Sequence, residues 1–119
     1  MNIRIISINN SSIAEIISED IILNSPEEGL ELLGNTYYQG FDKLIIYQKN
    51  ITAEFFDLST GIAGEVLQKF STYRVRLAIV GDFSNFASKS LKDFISESNK
   101  QKHINFVSTR KEAIDLLMN

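Results

Sequence analysis

The chain has 119 residues, 44% hydrophobic and 23% charged, enough for a packed core and too apolar for a disordered segment. It has no cysteine, which excludes disulfides, thiolate metal sites and cysteine catalysis and fits a cytoplasmic setting. A formal net charge of −3 gives no electrostatic reason to expect nucleic acid as partner, and no apolar run nears the roughly 18 residues that span a bilayer.

The opening Met1-Asn2-Ile3-Arg4 lacks the basic stretch and apolar run of a secretory leader, so none is expected. Residues 3–8 and 13–17 are β-branched apolar runs separated by Asn9-Asn10-Ser11-Ser12, which predicts a hairpin with a four-residue turn. Ser25-Pro26-Glu27-Glu28 predicts a helix start. Serine suits the N-cap, proline the first helical position, and Glu28 completes a capping box. Leu30, Leu33 and Tyr37 follow at i, i+3 and i+7 as the inward stripe, with Gly40 just past the helix end. Residues 43–48 form a nearly continuous apolar run, as in a strand covered on both faces.

Residues 50–56 are expected to make a helical turn capped by Asn50 or Thr52, with Phe55 and Phe56 tucked inward. A helix over 61–72 then buries Ala63, Leu67 and Phe70 beside Ile62 and Val66. Residues 75–80 are the clearest central strand, ended by Gly81-Asp82. Residues 88–98 predict a helix with Leu91, Phe94 and Ile95 facing in, and 104–107 a last strand. Thr109-Arg110-Lys111-Glu112 is a second capping box, opening a terminal helix that buries Ala113, Leu116 and Leu117. The order β-β-α-β-α-β-α-β-α predicts an α/β fold: a mixed, mostly parallel sheet with helices packed on it and right-handed crossovers. No repeat, low-complexity tract or linker interrupts it, so residues 1–119 are expected to form a single domain.

The stretch richest in chemistry is Asp57-Leu58-Ser59-Thr60-Gly61-Ile62-Ala63-Gly64-Glu65. It places a carboxylate, two hydroxyls and free backbone amides at a helix N-terminus, where a phosphate or a partner can be received. The plain alternative is that one of these side chains only caps the helix, a role worth about 1 kcal/mol. Gly61 and Gly64 are unfavourable inside a helix, so they imply either close packing against the sheet or close approach of a partner. The pattern lacks the lysine of a phosphate-binding loop, so nucleotide hydrolysis is unsupported.

Asp82 and Ser84 follow the best strand and could line the same edge as Asp57, since ligand crevices open at strand carboxyl ends. Ordinary turn chemistry explains them equally well. His103, the single histidine, is expected in an exposed loop, and no Gly-x-Ser-x-Gly elbow offers it a serine nucleophile. Lys89, Lys92, Lys100, Lys102, Arg110 and Lys111 alternate with Asp93, Glu97 and Glu112, as on a solvated face. Phe83 and Phe86 are expected as core or lid residues.

The element order resembles the sulfate-transporter and anti-sigma-factor-antagonist (STAS) domain. Its members carry an Asp-Ser-Ser-Gly-Leu-Gly-like motif at the N-terminus of the helix after the third strand, where a kinase phosphorylates one hydroxyl. Asp57-Leu58-Ser59-Thr60-Gly61-Ile62-Ala63 occupies the equivalent place. By that resemblance Thr60, directly before Gly61, stands at the phosphorylated position, with Ser59 beside it. In the family the aspartate usually lies two positions before that hydroxyl. Here Asp57 lies two before Ser59 and three before Thr60, and residues 51–56 form an insertion, so both hydroxyls stay open as candidates.

The run from Phe55 to Phe70, with Ala78-Ile79-Val80-Gly81-Asp82-Phe83 and Asp93-Phe94-Ile95-Ser96-Glu97-Ser98-Asn99, is similar over nearly the whole chain to a small bacterial family, domain of unknown function 4180. That family brings no established activity.

These resemblances imply a non-enzymatic regulatory domain that binds a protein partner, such as an anti-sigma-factor-like kinase, and is gated by phosphorylation. The expected surface comprises Asp57, Gly61, Gly64, Glu65, Asp82 and Ser84, with no catalytic residue, metal or cofactor. A small-ligand binder or small enzyme using Asp57, Thr60, Asp82 and Ser84 is the alternative, and a homodimer is a third possibility.

Overall fold

The computed structural model describes residues 1–119. A hairpin of β1 (Asn2–Ile8) and β2 (Ser11–Ile17) leads through a loop to α1 (Pro26–Tyr38) and β3 (Lys43–Tyr47). Three short 3-10 turns follow, Gln48–Asn50, Ala53–Phe56 and Leu58–Thr60. The chain continues as α2 (Ile62–Thr72), β4 (Arg76–Val80), α3 (Lys89–Asn99), β5 (Ile104–Val107) and α4 (Arg110–Leu117). The five strands lie in sequence order, β1 antiparallel to β2 and every later pair parallel, giving the expected mixed, mostly parallel sheet.

The hairpin turn is shorter than its four polar residues suggest. Only Asn9 and Asn10 turn, at φ 50° and 67°, while Ser11 and Ser12 already pair with Ile8 and Ser7. Two left-handed residues match the twist of the flanking strands, and asparagine tolerates that conformation well.

Alternation along each strand sorts the side chains onto two faces. Ala14, Ile16, Leu44, Ile46, Leu77, Ile79, Ile104 and Phe106 join the larger core, with Leu33 of α1, Val66 and Phe70 of α2, and Leu91 of α3. Ile13, Ile45, Ala78 and Val80 meet only Ala113 and Leu117 of α4. Three helices therefore cover one face and one short helix covers part of the other.

The stripe on α1 needs correction. Leu30 and Tyr37 are exposed, and the buried positions are Gly29, Leu32, Leu33 and Thr36. α1 must face α2 as well as the sheet, which rotates its buried arc. A Cβ on Gly29 would lie 3.0 Å from Val66 Cγ2, so this position needs to be small. Thr36 can be buried because its hydroxyl donates to the Leu32 and Leu33 carbonyls of its own helix. Tyr37 instead meets Tyr73 edge-on across the α1–α2 groove.

The capping residues are as the sequence predicts, with altered closure. Ser25 Oγ accepts from the Glu28 amide, but the Glu28 carboxylate accepts from the Asn24 amide, one residue before the cap. Thr109 Oγ1 accepts from the Glu112 amide, while Glu112 itself meets the Ser108 and Thr109 hydroxyls. Gly40 follows α1 at φ 93°. In 50–56 neither Asn50 nor Thr52 caps a turn through its side chain. Asn50 is buried, and its amide donates to the Ser18 and Asp20 carbonyls, tying down the β2–α1 connection. Phe55 and Phe56 are buried as expected. The inward sides of α2, α3 and α4 also hold, with Leu67, Phe94, Ile95 and Leu116 only half-buried.

Candidate functional site

β3 and β4 are parallel neighbours with Tyr47 opposite Val80, so the segments leaving their carboxyl ends emerge side by side. The segment after β3 carries Asp57, Ser59 and Thr60, and the segment after β4 carries Asp82 and Ser84. Asp57 caps the last 3-10 turn. Its Oδ1 accepts from the Ser59 hydroxyl at 2.6 Å and from the Ser59 amide at 3.1 Å. Those two bonds, the hydroxyl's foremost, hold the Asp57 carboxyl below the usual carboxylate range.

The Thr60 hydroxyl serves the backbone instead. It is placed to donate to the carbonyls of Glu54 at 2.9 Å and Asp57 at 2.8 Å, and to accept from the Ile62 amide at 3.4 Å. Ser59 and Thr60 are both exposed. Gly61 then turns at φ 78°, a conformation that a Cβ disfavours, and as N-cap of α2 it has no side chain to cap with. Asp57 therefore caps the preceding turn, and the N-cap residue of α2 contributes no side chain.

Gly64, one turn on, is exposed, and a Cβ built there would meet no atom within 4 Å. Close packing against the sheet does not account for it. Glu65 is also exposed and lines a groove between α1 and α2 with Leu30, Gln68, Lys69, Thr72 and Tyr73.

Asp82 repeats the geometry of Asp57. Its Oδ1 accepts from the Ser84 hydroxyl at 2.6 Å and the Ser84 amide at 3.1 Å, and its Oδ2 from the Asn85 side-chain amide at 3.2 Å. These bonds, the Ser84 hydroxyl's foremost, lower its pKa. Gln48 bridges the two segments by accepting from the Asp82 amide at 3.0 Å. Gly81 makes room for that bridge, since a Cβ there would fall 2.6 Å from Gln48 Cβ.

Three aromatic rings tie the segments together. Phe86 stacks on Phe56 at 5.1 Å, Phe83 lies 5.9 Å from Phe56, and Phe83 meets Phe106 of β5 edge-on at 5.3 Å. Beside them lies an open depression of about 530 Å³ lined by Gln48, Lys49, Ile51, Ala53, Phe56 and Phe86. It is mostly apolar and shallow, and the Gln48 carbonyl is already taken. Asp57 and Asp82 each clamp their own loop, and no three His, Asp or Glu residues cluster so as to hold a metal. His103 is half-buried near Leu67 and Phe94 rather than exposed. Lys89, Lys100 and Lys111 pair with Asp93, Glu97 and Asp115 on the surface.

The sequence reading missed a second polar cluster on the α4 face. Glu15 of β2 is 1% exposed, and the Arg110 guanidinium grips it with Nε at 3.0 Å from Oε2 and a terminal nitrogen at 3.2 Å from Oε1. The Tyr47 hydroxyl donates to Oε2 at 2.5 Å, and Arg4 stands 3.7 Å from Oε1. Burial alone would raise the Glu15 pKa, but the hydrogen bonds from Arg110 and Tyr47, with the charges of Arg110 and Arg4, outweigh it and lower it. Burial and the Glu15 hydrogen bond push the Tyr47 phenol up to about 12. The available signal was a lone carboxylate at an inward position of Ile13-Ala14-Glu15-Ile16-Ile17. Nothing local announced its partners, which come from β1, β3 and α4.

With this geometry established, comparison with known proteins adds two findings. A family model described as a domain of unknown function (DUF4180) matches residues 8–117. A solved structure from Thermotoga maritima, provisionally described as an anti-sigma factor antagonist, has a similar fold with a TM-score of 0.51 and 13% sequence identity, covering 98% of this chain and 95% of that one. At that identity the likeness establishes the fold alone, and the fold is STAS-like. No curated protein matches the sequence.

Proposed function

Because the chain belongs to the DUF4180 family and has a STAS-like fold, we propose that residues 1–119 act as one non-enzymatic regulatory domain, binding a protein partner through the edge where β3 and β4 end. The contact surface comprises Asp57, Gly61, Gly64 and Glu65 with the Asp82–Ser84 loop, and phosphorylation of Thr60 gates it. The partner is a protein of the anti-sigma-factor type, the partner class named in the description of the structural neighbour for that protein, and in this reading it carries its own kinase activity. A cytoplasmic setting accords with this role, and no helix is long and apolar enough to cross a membrane.

The observation that carries this reading is the position of the Thr60 hydroxyl, on an exposed residue and 3.4 Å from the first amide of a helix whose N-cap is a glycine. A phosphate there gains the positive end of the α2 dipole and adds about −1.5 to −2 charges to the edge. A phosphate on either hydroxyl ends its donation, but on Ser59 it would face the charged Asp57 carboxylate and on Thr60 only the uncharged Glu54 and Asp57 carbonyls, which favours Thr60 of the two. Such a charge disrupts a desolvated interface unless an arginine receives it. The open, mostly apolar depression nearby suits protein contact better than capture of a small ligand.

The test compares tagged wild type, Thr60→Ala, Thr60→Glu and Ser59→Ala as baits in native cells, with phosphopeptide mapping of the recovered domain. We expect a specific partner on wild type and Thr60→Ala, its loss with Thr60→Glu, and phosphate at Thr60. A partner held equally by all four folded proteins, with no phosphate at either hydroxyl, overturns the switch.

A further inference from the structure

The Glu15 cluster opens onto a hollow of about 240 Å³ that the interaction edge does not use. Arg4, Glu15, Ser18, Tyr47, Lys49 and Arg110 line it, with Ile16, Ile17 and Asn50. Its charge is lopsided, because three cations and one carboxylate line it and that carboxylate is already satisfied. Arg110 spends two of its nitrogens on Glu15 and keeps the third. The Arg4 side chain is 62% exposed and its guanidinium approaches Glu15 only at 3.7 Å, donating no hydrogen bond within the chain. Lys49 shares its ammonium with Glu19, a fully solvated residue at 3.3 Å, a pairing of little strength.

The wall of the hollow is held in a fixed shape. Asn50 is fully buried, and its amide nitrogen donates to the Ser18 and Asp20 carbonyls. That fixes the orientation of the side chain and holds the Ser18 segment of the wall in place. The buried carboxylate also gives rigidity, since Glu15 and the Tyr47 hydroxyl hold Arg110 in one geometry. Guanidinium forks held in this way match oxyanions.

We propose that this hollow is a binding site for a small molecule bearing a phosphate or carboxylate group, gripped by Arg4, Arg110 and Lys49. Its size suits a compact anion rather than a nucleotide or a peptide, since sites for drug-sized ligands start at about 300 Å³. Glu15 sits beneath the ligand as the residue that positions Arg110. The site stands on the α4 face of the sheet and shares only Lys49 with the depression beside the proposed partner edge.

The test titrates inorganic phosphate, and separately succinate, into the ¹⁵N-labelled chain, with sodium chloride at matched ionic strength as control. We expect saturable shifts at the amides of residues 16–18 and 47–50, with half-saturation near or below about 1 mM for at least one of the two anions. Which anion saturates tells a phosphate ligand from a carboxylate one. Arg4→Gln, which breaks no hydrogen bond of the fold, is expected to weaken binding by about tenfold or more, as is Lys49→Gln. Lys111→Gln, a cation outside the hollow, is expected to leave it unchanged. Shifts that chloride reproduces, that never saturate, or that survive both Arg4→Gln and Lys49→Gln overturn the proposal.

Discussion

Gly61 and Gly64 stand three residues apart and are explained differently. Gly61 is held at φ 78°, so any side chain there is strained. Gly64 is helical, exposed and unobstructed, and on intrinsic propensity alone alanine is better by about 1 kcal/mol. Gly64→Ala is therefore expected to stabilise the isolated domain by about 0.5–1 kcal/mol in urea denaturation. If the partner's backbone approaches this turn, the same substitution weakens the complex. A variant that is more stable but binds worse would place Gly64 in the interface. One that is more stable and binds equally well removes it from the surface proposed above.

At the scale of elements, the aromatic seam between the two strand-end loops makes the next prediction. Phe86 is half-buried and stacked on Phe56, so Phe86→Ala removes part of a core contact and a ring stack. A loss of about 2 kcal/mol is expected, with faster amide exchange at Asp82–Asn85 and little change in β1 or β2. How much of this was legible in the sequence depends on where each signal resides. Helix starts were visible because Ser25, Ser88 and Thr109 each accept from an amide three residues on, a contact that is wholly local. The stripe on α1 was misjudged because its orientation is set by Val66 of α2, which no periodicity within 26–38 can report. The hydroxyl-rich turn before α2 was found, as was its neighbour after β4. Their pairing through Gln48, Phe56, Phe83 and Phe86 depends on strands meeting in space and could be guessed only as a shared edge.

At the scale of the whole molecule, the contact between Glu15 and Arg110 joins residues 95 apart in sequence and fastens α4 to the hairpin side of the sheet. Its pH dependence has a definite sign. The folded-state pKa of Glu15 is depressed below 4.5, so its contribution is fully present above that value and is lost as pH falls through the folded one. Glu15→Gln is expected to flatten the acid limb of the stability curve, measured as urea midpoint against pH between about 2 and 6. At the alkaline end, a phenol titrating near 12 in wild type is expected to be missing from Tyr47→Phe by ultraviolet difference titration.

The ion pair also separates stability from function. Arg110→Met leaves a buried carboxylate with only Tyr47 and Arg4 for company. Loss of such a partner costs about 3–5 kcal/mol in a dry interior, discounted here toward about 2 kcal/mol because the Arg110 side chain is 45% exposed. Glu15→Met combined with Arg110→Met removes both charges and should recover most of that loss, since an apolar replacement of a buried pair is often neutral or stabilising. Chemical denaturation of the single and double variants gives the coupling energy directly. A double variant as stable as wild type would mean that the fold does not need this pair. Its role would then lie in what the guanidinium groups bind in the hollow above it. A double variant no more stable than Arg110→Met would instead make the pair a structural tie of α4, with the anion site resting on Arg4 and Lys49.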